Sequence, residues 1–395
     1  MTEPKNKVFY LDGIRGLAAF CVFLHHFLLA FYPAYFTSDI TTTHLNGLDV
    51  RYGQSIFSFL SNGNFSVCIF FVLSGLVLSR SYFEQPNIAT LVSAAQRRFL
   101  RLYMPVAVTL CLAYLLIKTN LFYNVAASSI THSGWWMGYM WTFEHKTTLF
   151  IQSLLYKVMF MGDNTYDTSL WTLSLELYGS MFVFAFLALT HNIRNKFLAF
   201  IPLFAVLAVL NAEYLTAFLL GITLNYAPAV TAKIGKTTNV LLTSVLFIGG
   251  LILGSYSTSN NIQHTIFEHV PAFVVKYNIW VHVIAGFFVV LAVVLSKNLQ
   301  WFFSLGLMRF LGYISFSIYL LHPLVIGSFS CYLLLHLAPH FSYNLALLIV
   351  TGATLSVCFL LSYFMAKYVD ANGTRYARKF YDNYLSKAGV DVKQQ

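Results

Sequence analysis

Ten runs of mostly apolar residues, set off by polar breaks, leave this chain few ways to fold. They cover about 10–32, 64–82, 104–121, 168–190, 196–211, 213–228, 239–256, 277–296, 308–335 and 343–368. A stretch of ~20 apolar residues crosses the ~30 Å hydrocarbon core of a bilayer as a helix. Lipid offers the backbone no hydrogen-bond partner, so a spanning segment must satisfy its own, and the helix does so. The expected fold is therefore all-α: a polytopic integral membrane helical bundle of about ten transmembrane helices. The fifth and sixth runs are short and nearly abut. Composition agrees, with 58% hydrophobic and 10% charged residues, far from a soluble domain.

The net charge of +10 does not indicate nucleic acid. The basic residues alternate with apolar runs and form no patch on a soluble domain. They report orientation instead. Of 24 lysines and arginines, 19 fall at the N-terminus, in the even-numbered loops, in the C-terminal tail or just inside adjoining spans. Only Arg51, Lys118, Lys146, Lys157 and Lys276 fall on the other side. An even number of crossings and the positive-inside rule both place the two termini in the cytosol. The first run contains Arg15 and lacks a small-x-small exit site, so it reads as a retained span and not as a cleaved leader. Residues 1–370 form the expected membrane domain and 371–395 a cytosolic polar tail. The long outward loops 37–63 and 122–167 are rich in Thr, Ser, Asn, Gly and aromatics, suited to shaping a binding site.

The five cysteines (Cys21, Cys68, Cys111, Cys331, Cys358) all lie in predicted spans without CxxC spacing. They read as small buried apolar residues, neither a disulfide framework nor a metal site. No HExxH pattern occurs, so no metal is expected. GKTT at 235–238 is not a phosphate loop, because Val230 stands where the first glycine is required.

Ionisable residues inside spans are costly and face a bundle interior or a water-filled path. Arg15 and His26 share the first span. Eleven steps of ~100° bring both to one helix face, about 16 Å apart. Arg15 is then shallow, near the cytosol, and His26 deep. His25 points ~100° away and reads as a satisfied helix contact. Glu176, in SLWTLSLELYGS, lies ~12 Å below the outer boundary, and His322, in LGYISFSIYLLHP, ~20 Å up from the cytosol. Three spans thus bring His26, Glu176 and His322 toward one depth. Thr172, Glu176, Gly179 and Ser180 form a small polar stripe suited to close helix contact; Trp171 lies near the outer interface. Ser315, Tyr319 and His322 share a face, and Pro323 frees the carbonyl of Tyr319. The competing readings are a Glu176 that is protonated or merely paired, and a His322 that only bonds a neighbouring helix. Arg97, Arg98 and Arg101 suit phosphate oxygens or, equally, anchor the chain beside anionic lipid.

Taken together, YLDGIRGLAAFCVFLHH, FFVLSGLVLSRSY, QRRFLRLYMP, LWTLSLELY and LGYISFSIYLLHP resemble, in order, the motifs of the acyltransferase type 3 family of integral membrane O-acyltransferases. The likeness runs from about Val8 to Phe364. Thr172 stands at a usual serine position, Phe316 at a usual tyrosine, and Gly179 and Ser180 replace usual aromatics. The resemblance implies transfer of an acyl group, usually acetyl, from acyl-CoA to a hydroxyl of a sugar, glycan, lipid-linked saccharide or similar metabolite. It implies no permanently bound cofactor, acetyl-CoA being a donor substrate, and the partners are that donor, the hydroxyl acceptor and the bilayer.

On that footing His26 is the expected general base, its ordinary pKa of ~6.5 suiting the task. Arg15 orients the donor, and Arg97, Arg98 and Arg101 hold its phosphates. Glu176 fixes a histidine tautomer or binds acceptor hydroxyls. His322, with Tyr319 and Ser315, stabilises the oxyanion or lines the acceptor site, as does Trp171. The expected location is a bacterial cytoplasmic membrane. A transporter or proton relay using Arg15, His26, Glu176 and His322 is the competing class, though no inverted repeat supports it. A pseudoenzyme or lipid-binding scaffold is a third.

Overall fold

The computed structural model describes residues 8–231, 235–257 and 262–385. The N-terminal tip and the last ten residues of the expected polar tail lie outside the described residues. Among the described residues there is no strand, and eight helices are long and apolar enough to cross a membrane. They are α1 (Phe9–Phe31), α2 (Gly63–Glu84), α3 (Ile88–Lys118), α4 (Trp171–Leu189), α7 (Lys236–Gly254), α8 (Asn278–Leu295), α9 (Gly306–Leu337) and α10 (Tyr343–Leu385). Between α4 and α7 lie two shorter helices, α5 (Phe197–Val209) and α6 (Glu213–Thr223). The protein is thus an all-α polytopic membrane protein.

The fifth and sixth predicted spans are where the structure departs from the hydropathy. Helix α5 has 13 residues, about 20 Å at 1.5 Å per residue, and falls short of the ~30 Å core. Asn211 ends the run with a left-handed backbone, φ 50°, and the Ala212 amide turns back to the Leu207 carbonyl at 2.9 Å. That is the usual way an αL residue closes a helix. Helix α6 then continues through Leu224–Tyr226 into Ala227–Thr231.

Two helices outrun the predicted spans. Pro105 marked a boundary near 104, yet α3 begins at Ile88, with Asn87 as its cap accepting from the Ala89 amide at 2.8 Å, and runs through Pro105. Similarly α10 does not stop at 368. It continues past Asp370 to Leu385, so residues 371–385 of the expected polar tail carry the helix on. Gly373 packs on Met104 and Ala377 is buried, holding the extension against the N-terminal half of α3. The long loops 37–63 and 122–167 also carry structure, including Leu48–Gln54, Asn124–Thr131 and the apolar helix Thr147–Met161.

The bundle closes on small residues. A Cβ on Gly16 would stand 2.3 Å from the Gly312 nitrogen, and one on Gly312 2.4 Å from the Asp12 carbonyl oxygen. Helices α1 and α9 therefore touch backbone to backbone. Gly75 of α2 and Gly221 of α6 meet in the same way. In lipid, where burial between helices gains little from the hydrophobic effect, such close packing supplies the attraction. Four cysteines are buried as expected, whereas Cys111 is exposed on α3.

Candidate active site

The contact between α1 and α9 brings His26 and His322 together. His26 Nδ1 lies 2.7 Å from His322 Nε2. His322 Nδ1 lies 2.8 Å from the Ile318 carbonyl, and a carbonyl only accepts. The network therefore assigns the proton of His322 to Nδ1, leaving its Nε2 as acceptor. His26 must then donate from Nδ1, and its Nε2 carries the lone pair. Two hydrogen bonds in series thus fix the tautomer of the His26 ring. His322 is fully buried and His26 half-buried. Trp136, from the loop after α3, lies parallel to the His26 ring, with centroids 5.5 Å apart and planes 13° apart. His25 turns away, its ring nitrogen donating to the Ser61 carbonyl at 2.9 Å, the helix-contact role expected of it.

Glu176 is not part of this pair. It bonds Arg98 in a short ion pair and accepts from Ser74 Oγ at 2.8 Å. Arg98 Nε donates to Ser180 Oγ at 2.8 Å. The expected convergence of three groups resolves into two sites, and helix register explains why. The Thr172 and Tyr319 hydroxyls bond at 2.7 Å, which aligns α4 and α9 running in opposite senses. One turn onward in α4 from Thr172, Glu176 stands level with Ser315 in α9. His322 is seven residues further, about 10 Å away at 1.5 Å per residue. The tautomer of His322 is set by a backbone carbonyl instead.

Around Glu176 opens a cavity of about 190 Å³. Arg15, Arg101 and Asp370 line its end nearest the N-terminus of α1, and Ser74, Arg98 and Glu176 its wall. Thr172, Ser315 and Tyr319 also line it. The Tyr319 ring sits edge-on to His322 with centroids 6.3 Å apart, so one aromatic ring stands between the cavity and the histidine pair. Arg15 pairs at 3.6 Å with Asp12, one turn earlier in α1. Ser315 Oγ is taken by the Gly312 carbonyl at 2.9 Å.

The three arginines expected at the phosphates separate. Arg98 is buried as the counter-charge of Glu176. Arg97 donates to the Ser93 carbonyl at 3.0 Å, and its guanidinium lies 5.7 Å from the Tyr381 ring centre, outside the cavity lining. Arg101 alone of the three is exposed and on the cavity. Trp171 is likewise outside the lining, its ring tilted against Tyr214 at 5.7 Å. Sequence reasoning overlooked Asp370, just past the last predicted span, and Trp136, set in a loop. Only the WW pair at 135–136 signalled the second.

Just before α4, Asp167 is 1% exposed. Its Oδ1 accepts from the Ser169 amide at 2.8 Å and the Ser169 hydroxyl at 2.7 Å, while Oδ2 has no partner. Burial pushes its carboxyl up to about 7, against the downward pull of the Ser169 bonds. Tyr319 OH donates to the Ser169 carbonyl at 3.1 Å, so this turn also fixes the tyrosine that lines the cavity. No group of three or more metal-ligating side chains occurs among the described residues.

No curated protein matches the chain. No solved structure matches it. The acyltransferase domain family does, over residues 8–363, a stretch that takes in the histidine pair and the Glu176 wall. With most of its length matched, and with eight apolar helices around two buried polar sites, the chain belongs to the acyltransferase type 3 family and is a multi-pass membrane acyltransferase.

Proposed function

We propose that the protein moves an acyl group, most simply acetyl, from acyl-CoA to a hydroxyl of a sugar, glycan or lipid-linked saccharide, with His26 as general base. The observation that carries this reading is the bond between His26 and His322, which leaves the lone pair on His26 Nε2. The acceptor O–H gives its proton to that nitrogen while its oxygen forms a bond to the thioester carbonyl carbon. The tetrahedral intermediate collapses as the C–S bond breaks. The departing thiolate takes the proton back from His26, and an ester and a free thiol leave.

The cavity supports the donor side. Its volume of about 190 Å³ suits a slender thiol arm, with the bulkier nucleotide left at the end lined by Arg15 and Arg101. Guanidinium groups match phosphate oxygens there. The acyl end would pass Tyr319 to meet His26. His322 acts on His26 rather than on the oxyanion, because both of its ring nitrogens are already engaged. The reading includes cytosolic termini, and hence a donor entering from the cytosol of a bacterial cell, with the acceptor met near the outer loops.

Purified protein incubated with radiolabelled acetyl-CoA and a panel of glycans tests this. Base-labile label in the glycan is expected, and H26A should lower it by roughly 10²- to 10⁴-fold, the usual worth of a general base. Full activity in H26A, or label uptake that needs no CoA thioester, overturns it.

A further inference from the structure

The reaction drawn above leaves Trp136 without a part, although its indole lies parallel to the ring of the proposed base. The two rings are 5.5 Å apart at 13°. The other neighbours of His26 meet it differently. His25 meets it by an edge at 71°, and His322, near-parallel at 4.9 Å and 24°, is engaged through a hydrogen bond between ring nitrogens. Trp136 is thus the group that covers a face of the imidazole from the loop side.

Trp136 is also held in place. Ser133 Oγ donates to the Leu29 carbonyl of α1 at 2.6 Å, three residues beyond His26. Asn124 Nδ2 donates to the carbonyls of Met137 and Met140 at 2.7 and 2.8 Å. The Gly138 amide closes back on the Ser133 carbonyl at 3.1 Å. These bonds bracket residue 136 on both sides. Its neighbour Trp135, which makes no such stack, is 54% exposed.

The chemistry of the base makes this placement consequential. His26 starts neutral and becomes an imidazolium as the acceptor proton arrives. A cation within about 6 Å of an aromatic face is attracted to it, tryptophan most strongly, and more so where water is scarce. A flat indole also keeps the imidazole in the plane that reaches His322. We propose, resting on His26 as the base, that Trp136 is a positioning residue for acyl transfer. Its face holds the His26 ring and favours the imidazolium formed in the transition state over the neutral ring of the ground state. An interaction of that kind raises kcat more than it alters substrate binding.

The test compares W136F with W136M, which have similar bulk but differ in possessing a π face. Both are measured as monodisperse full-length protein, with H26Q alongside. W136M is expected to lose about 10-fold in kcat with donor KM unchanged, and W136F to lose only a few-fold. A merely structural loop residue would instead give two equal variants. Wild-type kcat in W136M, or W136F and W136M equally impaired, overturns the proposal. Should W136M fail to fold, W136F decides: a kcat equal to wild type overturns the proposal, and a few-fold loss at unchanged KM supports it. Substantial transfer by H26Q would refute the base itself. An inactive H26Q beside a fully active W136M would refute the role of Trp136 alone.

Discussion

The two polar sites of the bundle solve one problem in opposite ways. At the cavity wall, charge answers charge. Arg98 and Glu176 pair directly, and serines on two helices take up further bonding capacity. At the histidine pair, neutrality is kept. A carbonyl, two imidazoles and an indole share hydrogen bonds and faces without a fixed charge. A buried ion pair tolerates little change, because losing one partner strands the other. A neutral chain of imidazoles can accept a proton and return it. The difference separates a rigid wall from a group able to change state.

The largest expected effect breaks the wall. R98A strands Glu176 and should destabilise the folded protein by about 3–5 kcal/mol, whereas R98M with E176L, which removes both charges, should recover most of that. Thermal unfolding in detergent measures both. Equal stability of R98A and wild type would mean that the pair carries no structural role.

Asp167 offers the sharpest contrast, a buried carboxylate with hydroxyl and amide donors but no cation. Its folded pKa of about 7 lies above the ordinary carboxylate value. The protonated form is therefore favoured by folding. Stability from this group is fully present below pH ~4 and is lost as pH rises through ~7. About three pKa units set a ceiling of roughly 4 kcal/mol on that loss. D167N should remove the dependence, matching wild type near pH 4 and unfolding at a higher temperature at pH 8. Parallel pH–stability curves for the two proteins would show that Asp167 is ionised without penalty.

The smallest effect probes the neutral site. H322A removes the acceptor for His26 Nδ1–H and should lower kcat by about 10- to 100-fold, the scale of one hydrogen bond of roughly 1.5–3 kcal/mol to a group that becomes charged. H322Q retains a carbonyl oxygen able to accept and should recover part of the loss. An H322Q no better than H322A would point to packing and not to the hydrogen bond.

Much of this arrangement was legible in the chain itself, and the misses share a cause. Hydropathy located the long helices because lipid imposes the same length on each of them. Helix periodicity placed His26 on the face of Arg15, and depth alone put His26 and His322 near one level. Register between helices was not legible. The bond from Thr172 to Tyr319 sets Glu176 a turn away from Tyr319 and some two turns from His322, and nothing in either segment announces that pairing. Likewise Pro105 looks like a helix boundary in isolation, yet the packing of Gly373 on Met104 supports helix on both sides of it. The place of Trp136 was not legible beyond its WW pair, because a loop is set by its own tertiary contacts, here Ser133 to Leu29 and Asn124 to Met137. The arginine run 97–101 read as one patch, but successive residues on a helix point ~100° apart, and the three met different surroundings.

The placement of His26 between a basic cavity and the long loops bears on energetics across the bilayer. On the proposed reaction, with the donor on one side and the alcohol on the other, each turnover would carry an acylium equivalent one way and a hydrogen ion the other. These are equal and opposite movements of positive charge. A resting voltage, worth ~2.3 kcal/mol per unit charge per 100 mV, would therefore leave the overall equilibrium of such an exchange where it stands.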